Sequence, residues 1–541
     1  MPSAHLDTFA RDRLPPPERL PRFVFALPEL QFGEQMNCAG ELLDRWVAAG
    51  QGDRLCILGT APDGTTPIRW TYADLQRRAN RIANVLTRQM GLVPGNRVLL
   101  RGANSPMLAA CWFAVVKAGG IAVGTMPLLR ARELVTIAAK AQITHALVDA
   151  RLAGELDLAR PNCPTLSNVL AFNGEGGLEA AMAAESDVFS NIDTAADDTC
   201  VIAFTSGTTG QPKAAMHFHR DVMAACACWP KHVLKAVPDD IVIGSPPLAF
   251  TFGLGGLLLF PLSIGAACAL VEKATPDALP AAIAKHRATI LYTSPTAYRA
   301  MAATIRQHDT SSLRKCVSAG EALPAATRTL WKDATGIEII DGIGSTEMLH
   351  IFISATERQA RGGATGYVVP GYVACVMDDA GNPLPPGQVG RLAIRGPTGC
   401  KYLDDDRQTS YVRDGWNYSG DAYLIDPADG QFVYQARTDD MIVSAGYNIG
   451  GPEVEGALLL HPAVAECGVI GVADAERGQI VKAFVVLKPG HAGDATMVKT
   501  LQDFVKATIA PYKYPRAIEF RDQLPRTETG KLQRFKLRES Q

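Results

Sequence analysis

Along the chain the spacing of apolar positions switches several times between helical and strand-like periods. From Thr71, the residues Leu75, Ala79, Ile82 and Leu86 recur at helical spacing, and Thr71 with Asp74 forms the start of a capping box. Gly91 is placed to end that helix. Arg97–Arg101 then reads as a strand, Ser105 and Pro106 as the N-cap and first turn of an apolar helix over Met107–Lys117, and Ile121–Val123 as a second strand. Strand, helix and strand in that order predict a parallel sheet covered by helices. Short apolar runs at Ala146–Val148, Val201–Phe204, Ile290–Tyr292 and Cys316–Ala319 predict further strands.

After about Gly366 the texture changes. Tyr372–Met377, Gly390–Arg395 and Phe432–Gln435, divided by Gly and Pro turns, read as short strands. Beyond Arg437–Asp440, strands at Ala465–Val472 and Lys482–Leu487 alternate with a helix at Thr496–Ile509. The expected fold is α/β. Residues 1–436 make a large domain of stacked α/β sheets with a short-strand β subdomain, and residues 437–541 a small α+β domain. Their junction is polar and narrow, so movement of the small domain is the default expectation. A length of 541 residues, 47% of them hydrophobic, agrees with about three structural units.

One uncharged stretch, Ile241–Val271, is long enough to weigh as a bilayer span, for which about 20 apolar residues suffice. Pro246, Pro247 and Pro261, with Gly253, Gly255, Gly256 and Gly265, interrupt a single helix there, and no basic cluster lies close by. A buried sheet-and-helix segment lining an apolar pocket is expected instead. Met1–Pro21 is polar, charged and Pro-rich, unlike a secretory leader. The formal charge of −2 offers no basic footprint for nucleic acid. The twelve cysteines lack C-x-x-C pairs and read as small buried residues in a reducing compartment, so a cytoplasmic location is expected. Oligomeric state stays open, a homo-oligomer included.

Four short motifs carry chemistry. Thr205-Ser206-Gly207-Thr208-Thr209-Gly210-Gln211-Pro212-Lys213 directly follows the apolar run Val201–Phe204. Its hydroxyls donate, its glycines let backbone N–H groups approach closely, and its lysine supplies a point charge, which suits a polyphosphate. It is not a Walker A loop, because no G-K-[ST] closes it. By composition alone the string also suits a solvent-exposed turn. Asp341-Gly342-Ile343-Gly344-Ser345-Thr346-Glu347 joins two glycines to a hydroxyl pair and a carboxylate, and alone it could be a strand-to-helix turn capped by Ser345 or Thr346. Tyr418-Ser419-Gly420-Asp421 offers a carboxylate whose two acceptor oxygens suit a vicinal diol. Pro525-Arg526-Thr527-Glu528-Thr529-Gly530-Lys531 ends in a lysine that composition alone would leave as a solvated charge.

Together, in this order, these strings resemble the adenylate-forming superfamily of acyl-CoA synthetases, peptide-synthetase adenylation domains and luciferases. The resemblance spans nearly the whole chain. It implies ATP, Mg²⁺ and coenzyme A as co-substrates and cofactor, and a small-molecule acid as partner. It places Thr205, Ser206, Gly207, Thr208, Thr209 and Gly210 on the phosphates, with Lys213, and Glu347 on the magnesium ion. Asp341, Gly342, Ile343 and Thr346 fall on the adenine and phosphate side, joined by Gly320, Glu321 and Ala322 of Ser318-Ala319-Gly320-Glu321-Ala322. Ile343 stands where the family usually keeps a tyrosine, which removes a stacking face. Asp421 and Arg437 match the ribose contacts, Asp439 the hinge, and Lys531 the adenylation lysine. Ser444, Gly446 and Tyr447 match the face that meets the pantetheine arm.

The implied acid pocket takes in Phe250, Thr251, Phe252 and His350. Gly342–Phe352 resembles benzoate-CoA ligases, and the stretches Arg11–Glu18 and Asn37–Asp44 are similar to the 2-aminobenzoate-CoA ligase branch. The implied activity is aryl acid–CoA ligation, with 2-aminobenzoate first and benzoate next. The alternative is a stand-alone enzyme that loads an aryl group onto a carrier-protein thiol.

Overall fold

Thr71 and Asp74 make the capping box in full: the Thr71 hydroxyl accepts from the Asp74 amide, and the Asp74 carboxylate accepts from the Thr71 amide. The helix they open runs Tyr72–Asn84 and continues helically to Gln89, with Gly91 turning at φ +69°. Ser105 caps the next helix at Leu108, with Pro106 in its first turn, and that helix runs Pro106–Lys117. Being apolar all round, it is buried all round. These elements belong to a computed structural model that describes residues 3–205, 212–438, 440–444, 447–474, 477–509, 511–526 and 531–539.

The strands on either side of that helix, Arg97–Arg101 and Ile121–Thr125, pair in parallel, as expected of a strand–helix–strand unit. They lie in a six-stranded sheet ordered Asn168–Phe172, His145–Asp149, Arg97–Arg101, Ile121–Thr125, Thr199–Thr205 and Lys213–Phe218, parallel except for the last strand. A nine-stranded sheet packs beside it. Its parallel centre runs Ile339–Gly344, Lys315–Ser318, Ile290–Thr293, Ile241–Gly244, Ala267–Ala269 and Leu55–Thr60. Helix Pro106–Lys117 contributes Leu108, Trp112 and Phe113 to the apolar core that joins the two sheets.

The uncharged stretch resolves into the strand Ile241–Gly244, a helical segment from Thr251 to Ser263, and the strand Ala267–Ala269. Pro261 does not break this helical segment. It closely follows the π-helical turn Gly255–Leu259, the kind of local adjustment by which a helix accommodates an interruption. Among the described residues no helix is long and apolar enough to cross a membrane.

A five-stranded antiparallel sheet follows, built from Val373–Met377, Gly390–Arg395, Val412–Arg413, Trp416–Ile425 and Phe432–Arg437. The C-terminal unit has its own sheet of Ile442–Ser444, Tyr447–Ile449, Val464–Asp474, Gly478–Leu487 and Ala517–Phe520, and its own apolar core around Val454, Val469, Val485 and Leu501. Helix Ala495–Thr508 packs on it, capped by Asp494; Ile509, expected inside the helix, is already extended at φ −130°. The architecture is thus mixed α/β with a large sheet-built domain and a smaller C-terminal one. All cysteines are free and all but Cys375 are buried.

Candidate functional site

In parallel sheets, ligands gather beyond the carboxyl ends of the strands, because loops there can vary without disturbing the core. Two of the predicted motifs, at Thr205 and at Asp341–Glu347, lie at such ends. Thr205 ends Thr199–Thr205, and Lys213 begins the return strand directly opposite it. Ser206, Gly207, Thr208, Thr209 and Gly210 lie outside the described residues. The Thr205 hydroxyl is buried and has no hydrogen-bond partner among the described residues, as a donor awaiting a ligand would.

From the other large sheet, Ile339–Gly344 delivers Asp341, Gly342 and Ile343 and then turns through Thr346 to Glu347. The two sheets meet here. Lys213 Nζ lies 3.2 Å from Glu347 Oε1 and 2.7 Å from the Tyr402 hydroxyl, and that hydroxyl donates to the same Glu347 oxygen. Glu347 is 5% exposed. Burial pushes its carboxyl up, yet the Lys213 ammonium and the Tyr402 hydroxyl outweigh burial and hold it below the usual carboxylate range. It is therefore an anion at the floor of the cleft. For Asp341, beside Ser318 in the sheet, burial is only partly offset by the Arg328 charge: it raises the carboxyl to about 6, and Oδ1 has no hydrogen-bond partner among the described residues.

Lys315–Ser318 leads into the turn of Gly320, Glu321 and Ala322. Glu321 accepts from the Thr296 hydroxyl at 2.9 Å, and burial raises its carboxyl. Asp421 and Arg437 sit opposite each other on Trp416–Ile425 and Phe432–Arg437; the guanidinium lies 3.2 Å from Asp421 Oδ1. Burial raises Asp421, with Arg437 opposing it.

The small domain meets this cleft through its last segment. Arg526 lies 4.0 Å from Glu321 and 2.8 Å from Glu466 of its own domain. Lys531 stands over Gly320, and its charge acts on both Asp421 and Glu321. The predicted C-terminal lysine and the predicted adenine-side turn are therefore brought together. Ser444 instead pairs with Gly478 inside the small domain's sheet, and its hydroxyl is buried. Tyr447 begins the facing strand, Tyr447–Ile449. Gly446 and the expected hinge Asp439 lie outside the described residues.

His350 follows Glu347 within an aromatic cluster. Its ring centroid is 5.6 Å from Phe252, 4.4 Å from Phe260 and 5.6 Å from Trp229. Gly255 is required beneath it, since a Cβ there would lie 2.6 Å from His350 Cδ2. Burial lowers the imidazole to about 3, so the ring is neutral. Thr251 is buried and Phe250 half-buried beside it at the helix start. The preceding residue, Leu349, adopts φ +69°, a conformation that costs a branched side chain about 1–3 kcal/mol and is kept only where packing enforces it.

Sequence reasoning missed Tyr402, Trp229 and Tyr292. Trp229 Nε1 and the Tyr292 hydroxyl are buried without partners among the described residues, beside this cluster. No motif spacing announces any of the three; Tyr292 was read only as the end of the strand Ile290–Tyr292.

Comparison with known proteins assigns the class. Residues 44–401 match the family described as AMP-binding enzyme, and residues 453–531 its C-terminal domain. The chain belongs to this family. It is 35% identical over 519 residues to a benzoate–CoA ligase of Thauera aromatica, covering 94% of this chain and 97% of that one. The crystal structure of the anthranilate CoA ligase AuaEII in complex with anthranoyl-AMP superposes with a TM-score of 0.90 at 34% identity, covering 95% and 99% of the two chains. A benzoate CoA ligase from Burkholderia xenovorans LB400 gives 0.84 at 33%, covering 93% and 100%. Within the family the chain is an acid–thiol ligase.

Proposed function

We propose that this enzyme is an AMP-forming aryl acid–CoA ligase. An aryl carboxylate attacks the α-phosphorus of ATP, releasing pyrophosphate and giving an aryl adenylate. The CoA thiol then attacks the acyl carbon and expels AMP. The observation that carries the reading is that Lys531 of the small domain stands over the Gly320 turn, its charge acting on Asp421 and Glu321, while Lys213 pairs with Glu347 where the two large sheets meet.

The roles follow from charge. Two anions must approach one another, so cations have to offset the negative charge that spreads in the in-line transition state. Lys213 and the loop from Thr205 serve the β- and γ-phosphates, and Lys531 the carboxylate and α-phosphate. Asp421, with Arg437, takes the ribose hydroxyls. Asp341, Gly342 and the Gly320 turn face the adenine side.

Glu347 fits a hard cation: it is an ionised oxygen donor, and no side chain among the described residues donates to its Oε2. Magnesium bound there with ATP would supply charge neutralisation at the phosphates. The thioester half-reaction needs Lys531 withdrawn and the face of Ser444, Gly446 and Tyr447 presented by rotation of residues 437–541 about Asp439. Lys531 is a compact ammonium on a flexible stem, suited to that exchange.

For the acid, 2-aminobenzoate is our first assignment and benzoate our second. The likeness to a ligase crystallised with anthranoyl-AMP supports the first, and the curated benzoate–CoA ligase relative supports the second. Phe250, Phe252 and His350 would line the ring. A cytoplasmic setting, drawn from the cysteine pattern, belongs to the same proposal.

The test is a panel that measures pyrophosphate release with 2-aminobenzoate, benzoate, hydroxybenzoates, phenylacetate and medium-chain fatty acids, followed by thioester formation with CoA or a carrier protein. Turnover confined to aryl acids with CoA as acceptor is expected. Preference for fatty acids, or for a carrier-protein thiol, would overturn the assignment.

A further inference from the structure

The phenol of Tyr402 lies where the two large sheets meet. Its segment joins the edge of the six-stranded sheet: Met216 N–H donates to Lys401 O at 2.8 Å, Leu403 N–H to Ala214 O at 2.9 Å, and Ala215 bridges Tyr402. Gln408 Oε1 accepts the Tyr402 amide at 2.9 Å, and the side chain is 1% exposed. The backbone and ring are therefore fixed by the sheet, independently of any ligand.

A phenol has one proton and spare acceptor lone pairs. Here the proton goes to Glu347 Oε1, and a lone pair accepts from Lys213 Nζ at 2.7 Å. Burial and the Glu347 charge push the phenol far above its ordinary value, so it stays a donor at any working pH. Glu347 Oε1 is thus engaged twice, by Lys213 and by Tyr402, while no side chain among the described residues donates to Oε2; the carboxylate's further contact is with its own backbone amide. When ATP arrives, Lys213 has a stronger attraction to answer, a polyphosphate. Tyr402 has none, and it remains the fixed partner of Oε1.

We propose that Tyr402 is a positioning residue for adenylation: it holds one oxygen of Glu347 on the sheet edge so that the other is presented to the divalent cation of the nucleotide complex, even after Lys213 has turned to the phosphates. The inference rests on the aryl acid–CoA ligase reading. It goes beyond that reading by assigning the orientation of the carboxylate to a residue outside the motifs.

The test is Tyr402→Phe, which keeps the ring and removes the hydroxyl. Two readouts separate positioning from bulk structure. One is binding of Mn²⁺ by the enzyme with a non-hydrolysable ATP analogue, followed by the free-Mn²⁺ resonance signal. The other is transfer of an aryl group to CoA from preformed aryl adenylate. We expect Mn²⁺ binding to weaken about fivefold to tenfold, the half-saturating Mg²⁺ for pyrophosphate exchange to rise in step, and transfer to CoA to stay within about twofold. Unchanged Mn²⁺ affinity would overturn the proposal. Equal loss of both half-reactions would also overturn it, by making Tyr402 a purely structural residue. If the parent enzyme shows no acid-dependent exchange, the ligase reading itself fails, and Mn²⁺ binding in the variant still decides the role of Tyr402.

Discussion

Lys531 and Gly320 face each other across the boundary between the two domains: a Cβ on the glycine would lie 3.7 Å from the lysine Cε. Gly320 also turns at φ +89°, where other residues are strained. One position thus serves two needs, a turn that ends the strand Lys315–Ser318 and a van der Waals contact with a side chain from the far end of the chain. The close approach of Arg526 to Glu321, at 4.0 Å, lies beside it.

Gly320→Ala tests both needs. The left-handed backbone costs alanine about 1–2 kcal/mol, and the added methyl packs against Lys531 Cε at 3.7 Å. Melting temperature is expected to fall modestly and acid-dependent ATP–pyrophosphate exchange to fall about tenfold, with transfer from preformed adenylate to CoA less affected. A variant slowed equally in both half-reactions would show that the glycine serves the turn alone.

Glu347→Gln replaces the anion by a neutral group of the same shape. The ion pair with Lys213 disappears, and the hard donor for a cation becomes weak. Exchange activity should drop about 10²- to 10³-fold, with a strongly raised requirement for Mg²⁺. An unaltered metal titration would remove Glu347 from the cation site.

Asp421→Asn should raise the KM for ATP about tenfold or more, on the order of what one hydrogen bond to a charged group is worth, while the KM for the aryl acid stays put. Titrating each substrate at saturating levels of the other checks it. An effect on the acid alone would place Asp421 away from the ribose.

His350 gives a pH signature. Burial holds its imidazole at about 3 in the folded protein, against about 6.5 in an unfolded chain. Above pH 6.5 both states are neutral and the histidine's contribution is whole. As pH falls toward 3, the unfolded chain takes a proton that the folded one refuses, so stability drops by about 1.4 kcal/mol per pH unit from this group. In His350→Gln the acid limb between pH 6.5 and 4.5 should therefore be shallower, by about 3 kcal/mol at its foot, measured by denaturant unfolding at both ends. Parallel acid limbs in parent and variant would show that the ring protonates in place. The same variant should reorder the preference among ortho-substituted benzoates if the ring touches substrate.

Local rules reach far into this fold. Thr71 with Asp74, and Ser105 with Pro106, announce their helices because capping is decided within four residues, and the strand Arg97–Arg101 stands where the apolar run placed it. Boundaries slip by a residue or so where tertiary pairing decides them, as at Lys315–Ser318, expected one residue later. The motif residues were legible through their chemistry. Tyr402 was not, because its importance arises only when residues 401–403 pair with Ala214–Met216 and bring a phenol to a carboxylate far away in sequence. Trp229 and Tyr292 were hidden for the same reason: nothing in their local sequence tells a packed core ring from one beside a ligand.

The central claim is that an ammonium from the small domain acts in the first half-reaction and leaves for the second. Lys531→Ala measures it most directly, by following acid-dependent ATP–pyrophosphate exchange beside aryl transfer from preformed adenylate to CoA. The prediction is exchange lowered about 10³-fold or more with transfer within a few-fold of the parent. Exchange that survives, or both steps lost alike, would contradict it.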